Sequence, residues 1–250
     1  MRTATTIFLI FLALNTYAQQ KQKTDQIETK KGVLKINPVQ HATMVLEWND
    51  KTIYVDPYGG KDRFENYSDP DIILITDIHG DHFNKETLSE LSTSQAIFVI
   101  PAALNEKMSE ISNKEVIVLN NGSKTSVEDI VIHGVPMYNL PESPDSRHPK
   151  GRGNGYILTM GGKKIYISGD TEDIPEMRSL KNIDIAFVCM NLPYTMSVEQ
   201  AANAVLEFKP NIVYPYHYRG QNGYSDINQF KALVEGGVAG VDVRLLEWYK

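Results

Sequence analysis

Within the stretch LITDIHGDHF, Leu74 to Phe83, two aspartates and two histidines fall inside six residues, directly after a run of aliphatic side chains. Asp77 and His79 are two apart, so an extended strand presents both on one side. Gly80 is expected to permit a sharp turn, after which Asp81 and His82 enter a helix. A turn of that kind aims side chains at two neighbouring centres rather than one. Imidazole nitrogen and carboxylate oxygen are donors suited to zinc, iron or manganese. Taken alone, the cluster has an ordinary alternative: a polar cap beside histidines satisfied in the core.

The rest of the chain weakens that alternative. There are six histidines in all, and two more stand in chemically suggestive places. His148 lies in SRHPKG, within a long irregular loop, and His217 ends the apolar stretch VYPYHY. Asp170 follows KIYISGD, again at the end of a buried-looking strand. Strand ends that converge on one rim can build a site from distant parts of a chain. His133 reads as a strand residue, and His41 as at most a supporting one. The glycine-rich GRGNG is not a phosphate loop, because no Gly-Lys-Ser/Thr follows and no helix opens there.

DIHGDH resembles the His-x-His-x-Asp-His signature of the metallo-β-lactamase fold superfamily. It matches at His79, Asp81 and His82, with Asp77 standing where the signature has a histidine. HAT…VDP (His41 to Pro57), YNL (Tyr138 to Leu140), HPKG, GYI…GGKKIYISGDTE and PYHY extend the likeness over nearly the whole chain. Together they resemble the branch of metal-dependent hydrolases akin to the ascorbate-phosphate lactonase. The resemblance implies an α+β fold, a four-layer αββα sandwich with the site at one edge between its sheets. It implies one ion on Asp77, His79 and His148, another on Asp81, His82 and His217, and Asp170 with a water bridging them. One or two divalent ions are expected, zinc ahead of iron or manganese. Two ions about 3.5–4 Å apart would bring a water's pKa near 7, and the resulting hydroxide would attack a carbonyl or phosphoryl centre. Asp81 is the expected catalytic residue, orienting that nucleophile. Tyr58, Asn139, Tyr194, Tyr218 and Arg219 flank these positions and are the candidates for substrate binding.

The expected activity is therefore hydrolysis of a small ester, lactone or phosphodiester. A β-lactamase proper is the first alternative, yet its cysteine-using subclass has that ligand where this chain has Asp170, and Cys189 lies elsewhere. A non-catalytic metal-binding domain of the same fold is opposed by the near-complete ligand set. A nuclease is disfavoured by the acidic charge and the expected export.

Those residues need a scaffold, and the composition allows one. The chain has 250 residues, a formal net charge of -6, 42% hydrophobic and 22% charged residues, enough for a single domain with a full core. No run of Lys and Arg offers a phosphate-binding face, so the expected partner is a small molecule rather than nucleic acid. Residues 1–18 have the layout of a signal peptide: Arg2, an apolar run from Ile7 to Leu14, then Ala18. That run is short for a bilayer. A periplasmic or secreted product without a stable membrane anchor is expected, starting near Gln19, with 19–31 a flexible lead-in and 32–250 the metallo-hydrolase domain. Cys189 is the single cysteine, so no internal disulfide can form.

VLKIN, TMVLEW and TIYVD read as strands, with Asn49-Asp50 a hairpin turn. DIILIT suits a strand covered on both faces. Asn84 to Leu91 and Ala102 to Ser112 read as helices, and Leu140 to Gly155 as a long functional loop. Gly161-Gly162 reads as a second hairpin turn. Ser197 to Phe208 reads as a helix capped by Ser197, Ser225 to Glu235 as another, and VDVRLLEW as a last strand. Two similar halves imply two sheets face to face with helices outside.

Overall fold

Apolar side chains alternate across the first sheet with a period of two, as extended backbone requires. Ile53, Val55, Ile72, Leu74 and Val99 enter one core, while Tyr54, Ile73, Ile75, Phe98 and Ile100 enter another on the opposite face. The computed structural model describes residues 24–237 and 240–249. Its first sheet has seven strands in chain order: β1 (Asp25–Thr29), β2 (Gly32–Gln40), β3 (Thr43–Trp48), β4 (Lys51–Val55), β5 (Ile72–Leu74), β6 (Ile97–Ile100) and β7 (Glu115–Val118). Neighbours pair antiparallel from β1 to β4 and parallel from β4 to β7. Asn49 and Asp50 both take positive φ, 50° and 60°, in the tight turn between β3 and β4.

The second sheet repeats this plan. Its strands are β8 (Lys124–Val127), β9 (Ile130–Met137), β10 (Gly153–Met160), β11 (Lys163–Ile167), β12 (Ile185–Cys189) and β13 (Ile212–Tyr216). A separate hairpin, β14 (Arg219–Gly220) with β15 (Gly223–Tyr224), follows, and β16 (Asp242–Val243) closes the second sheet beside β13. Pairing is antiparallel from β8 to β11 and parallel onward. One apolar core runs between the sheets, joining Leu46, Val55 and Leu74 to Tyr156, Ile165 and Phe187. It continues under α3 (Val198–Phe208) and α4 (Ile227–Gly237), while α1 (Lys85–Glu90) covers the outer face of the first sheet; the short α2 is Pro175–Arg178. The helix–sheet–sheet–helix layering is the expected one. Ser197 caps α3 as its sequence implies: its hydroxyl accepts from Gln200 N–H, and the Gln200 side chain accepts from Ser197 N–H.

Three expectations need correction. Residues 25–29 are not a flexible lead-in but β1, paired in register with β2. Only Ile27 of that strand is fully buried, so no apolar alternation marks it in the sequence. Asp25 ties it to the other sheet, accepting from the Tyr214 hydroxyl at 2.6 Å and from Arg244 at 3.0 Å. The last strand pairs over Asp242–Val243 alone, although Leu246 and Trp248 beyond it remain buried. The turn segment 102–110 is a 3₁₀ rather than an α-helix. Residues 1–18, expected to be a signal peptide, lie outside the described residues. Among the described residues no helix is long and apolar enough to cross a membrane.

Candidate metal centre

Parallel pairing starts at β4–β5 in one half and at β11–β12 in the other, and the site gathers at the carboxyl ends of these strands. Asp56 follows β4, Thr76 and Asp77 follow β5, Asp170 follows β11 and His217 follows β13. Beyond β5 the chain turns back on itself, with His82 N–H and Phe83 N–H both donating to the His79 carbonyl. Asn84 then caps α1 by accepting from Thr87 N–H. Two expectations for this turn are corrected. Asp81 and His82 precede the helix, and Gly80 is not demanded by the backbone, since a Cβ there would meet nothing within 4 Å. Glycine is required instead at Gly153, where a Cβ would lie 2.7 Å from the Thr76 carbonyl. That close approach lets Asn154 N–H donate to Thr76 at 2.8 Å and seats β10 against the site.

Seven residues singled out as ligands meet in one cluster, five of them buried and His79 and Asp81 partly exposed. Asp170 is its centre. Its Oδ2 lies 3.2 Å from His148 Nε2 and 3.3 Å from His82 Nε2, and its Oδ1 lies 3.2 Å from His217 Nε2. On one side, Asp77 Oδ2 lies 2.6 Å from His79 Nδ1 and 3.9 Å from His148 Nε2. On the other, Asp81 Oδ2 lies 3.6 Å from His217 Nε2 and 3.9 Å from His82 Nε2. Among the described residues three groups have metal-site spacing: Asp77, His79 and His148; His82, Asp170 and His217; and His41, Asp81 and His217.

The imidazoles are held in the tautomers that ligands need. His82 Nδ1–H donates to Asp56 Oδ2 at 2.8 Å, which turns Nε2 toward Asp170. Asp56 is fully buried and accepts also from Thr76 N–H at 2.7 Å and Thr76 Oγ1–H at 2.5 Å. His148 Nδ1–H donates to Asn139 Oδ1 at 3.1 Å, freeing its Nε2. His148 Nε2 and Asp170 Oδ1 are buried without a hydrogen-bonding partner, as atoms reserved for a cation would be. The residues present thus fit a divalent ion.

The electrostatics agree. Burial opposes charge on His82, but Asp170, Asp56 and Asp81 outweigh it and push the imidazole well above its ordinary range. Burial would raise Asp170, yet His217 and His82 hold it well below the usual carboxylate range. His217 is driven down to about 3, chiefly by burial, and so stays neutral. Positive charge is thus favoured at His82 and disfavoured at His217.

His41 enters the site more closely than its sequence suggests. Arg219 backbone N–H donates to the Tyr249 hydroxyl at 3.2 Å, which donates to His41 Nδ1 at 2.7 Å. His41 Nε2–H is then left to donate to Asp81 Oδ2 at 3.1 Å. Asp56, Arg152 and Tyr249 were not visible as site residues. Asp56 and Tyr249 have no spacing relation to the histidines, and Arg152 was hidden inside GRGNG. Arg152 clamps Asp77 with two hydrogen bonds, Nε to Oδ1 at 3.2 Å and Nη2 to Oδ2 at 3.1 Å.

The candidate substrate residues divide. Asn139 spends its side-chain amide on His148, Glu172 and the Tyr194 carbonyl. Tyr218 is buried against Tyr249, with ring centroids 4.8 Å apart. Tyr194 lies under the Arg147 guanidinium at 4.4 Å, and Arg219 is exposed over Tyr249. Tyr58 lines a cavity of about 460 Å³ with Gly60, Asp62, Asn84, Thr87 and Glu90, and none of the seven candidate ligands borders it. Cys189 is buried, its thiol pushed up to about 11 mainly by burial, and His133 sits on β9 near the Gly122 carbonyl, outside the cluster.

A family model described as "Beta-lactamase superfamily domain" matches residues 35–217. A UPF0173 metal-dependent hydrolase of Pyrococcus abyssi is 30% identical over 213 residues, covering 81% of this chain and 92% of the relative. A crystal structure from Parabacteroides distasonis, classed as a metal-dependent hydrolase, is 38% identical with a TM-score of 0.80, covering 91% of this chain and all of that one. A metallo hydrolase from Ignicoccus hospitalis shares the fold, with a TM-score of 0.72 at 24% identity, over 87% and 96% of the two chains. With the two-sheet architecture and the histidine–aspartate cluster, these matches make the chain a member of the metallo-β-lactamase superfamily, in its branch of metal-dependent hydrolases.

Proposed function

We propose that the protein is an exported enzyme that hydrolyses a small ester, lactone or phosphodiester at the rim where its two halves meet. The observation that carries this reading is the convergence of His82, His148 and His217 on the Asp170 carboxylate, each within 3.3 Å. A divalent ion held there, zinc ahead of iron or manganese for this donor set, supplies Lewis acidity toward a water and toward the substrate oxygen. Asp170 faces both donor groups and keeps them in register. Asp56 and Asn139 hold His82 and His148 in their metal-facing tautomers. Asp81, whose Oδ2 is held by His41, would orient the attacking water toward the electrophilic centre. Arg219, exposed two residues beyond His217, supplies positive charge for an anionic group of the substrate.

Elemental analysis of the purified protein, with a panel of esters, lactones and phosphodiesters assayed before and after chelation, tests the chemistry. Turnover of one class, lost with the metal and restored by it, is expected; a metal-free protein inert toward the whole panel overturns the reading. The export component rests on the pattern of residues 1–18. Mass spectrometry of the protein from its native host should show a mature chain starting near Gln19, and an intact Met1 would refute cleavage.

A further inference from the structure

The two halves of the cluster carry different charge. Around His82 and His217, the carboxylates of Asp170 and Asp81 match the two positive charges of one divalent ion. Around His79 and His148 the only carboxylate besides the shared Asp170 is Asp77, and it is already neutralised. Arg152 meets both of its oxygens, at 3.2 and 3.1 Å, and this side chain is only 19% exposed. A parallel two-point guanidinium–carboxylate pair of this kind is the strongest form of the contact and is not shed easily when enclosed. The backbone holds it in place: Gly153 closes on the Thr76 carbonyl, and Asn154 N–H donates to it, so residue 152 stands opposite residue 77.

A cation entering between Asp77, His79 and His148 would gain no net charge from the Asp77–Arg152 pair, and it would approach a fixed guanidinium. We propose that this ion pair makes the centre unequal, with one resident divalent ion on Asp81, His82, Asp170 and His217, and Arg152 supplying permanent positive charge on the opposite side. The inference rests on the metal-hydrolase reading above and adds which position is filled and what replaces the second charge. Arg152 is a positioning and charge-bearing residue, and GRGNG is the segment that delivers it.

The test is equilibrium dialysis of chelator-stripped protein against zinc alone and manganese alone, with bound ions counted by elemental analysis. Wild type is expected to take up one tight equivalent and a second only weakly. Arg152→Gln removes the competing charge and should strengthen the second equivalent by roughly a hundredfold, from the Coulomb cost of a unit charge so close to the ion. Arg152→Lys keeps the charge without the two-point contact and should still leave the second equivalent weaker than in Arg152→Gln. Two tight, equal sites in wild type would overturn the proposal, as would an Arg152→Gln protein with the wild-type stoichiometry. If Arg152→Gln does not fold, the wild-type count decides alone. A wild type that binds neither ion overturns the metal-hydrolase reading itself, an outcome distinct from two equal sites.

Discussion

Tyr249 and His41, 208 positions apart in the chain, meet at 2.7 Å between hydroxyl and Nδ1. Through this contact the end of the chain sets the direction of the His41 N–H that holds Asp81. Removing the hydroxyl while keeping the ring isolates the effect, because the Tyr249 ring packs against Tyr218 and Tyr224 independently of it. Tyr249→Phe should lower kcat by about tenfold with KM and metal content unchanged, the range seen when a partner of a site residue is lost. His41→Ala should lower it further. Steady-state kinetics with parallel metal analysis checks both, and a full-rate Tyr249→Phe enzyme would remove the hydroxyl from this role.

Asp56 serves His82 as Asn139 serves His148. Asp56→Asn presents an N–H₂ group where Thr76 N–H, Thr76 Oγ1 and His82 Nδ1 now find acceptors. Metal affinity should fall by about 10–100-fold, measured by competition with a chromophoric chelator. Unchanged affinity would mean that His82 keeps its orientation without Asp56.

The proposed ligands should fail together. His82→Ala, His217→Ala and Asp170→Ala are each expected to lose bound metal and hydrolysis at once, because a ligand set acts as a unit. Elemental analysis beside the substrate panel reads both quantities. A His217→Ala protein with full metal and full rate would show that His217 lies outside the centre.

Asp25 gives a stability prediction with a definite sign. Burial alone would raise its carboxyl, but the Tyr214 hydroxyl and Arg244 guanidinium outweigh burial and hold it below the ordinary value. A depressed carboxylate stabilises the fold above its unfolded pKa, and that contribution fades as pH falls through the lower folded value. Asp25→Asn should therefore cost about 1 kcal/mol near neutral pH for this partly exposed contact. The difference from wild type should shrink as the medium is acidified through and below the ordinary aspartate range. Urea unfolding at the two pH values checks it, and a pH-independent difference would contradict the assignment.

Much of this was legible before the structure. The halves and the layering follow from the apolar runs and turns, and the seven clustered donors from the resemblance that DIHGDH, HPKG, the end of KIYISGD and PYHY carry. What escaped has physical causes. β1 was read as a linker because an edge strand that buries one residue needs no apolar alternation, and its hold comes from Asp25 instead. The tie of Asn139 to His148 escaped because proximity in sequence says nothing of which way an amide is used. Arg152 hid among glycines, and the close backbone approach of its neighbour Gly153 to Thr76 is a tertiary fact. His41 needed Tyr249 to acquire a role, and no periodicity links residues so far apart.

The repeated sheet plan has one further consequence. Asp77, His79, Asp81 and His82 belong to the first half, and His148, Asp170 and His217 to the second, so an ion bound among them fastens one half to the other like a clasp across a seam. Its binding energy is then shared with the cohesion of the halves. Ion at about a hundredfold excess over its dissociation constant adds about 2.7 kcal/mol to the folded state. Chelation should accordingly loosen the seam as well as silence the chemistry, and two separately expressed halves should reassemble more readily when the metal is supplied.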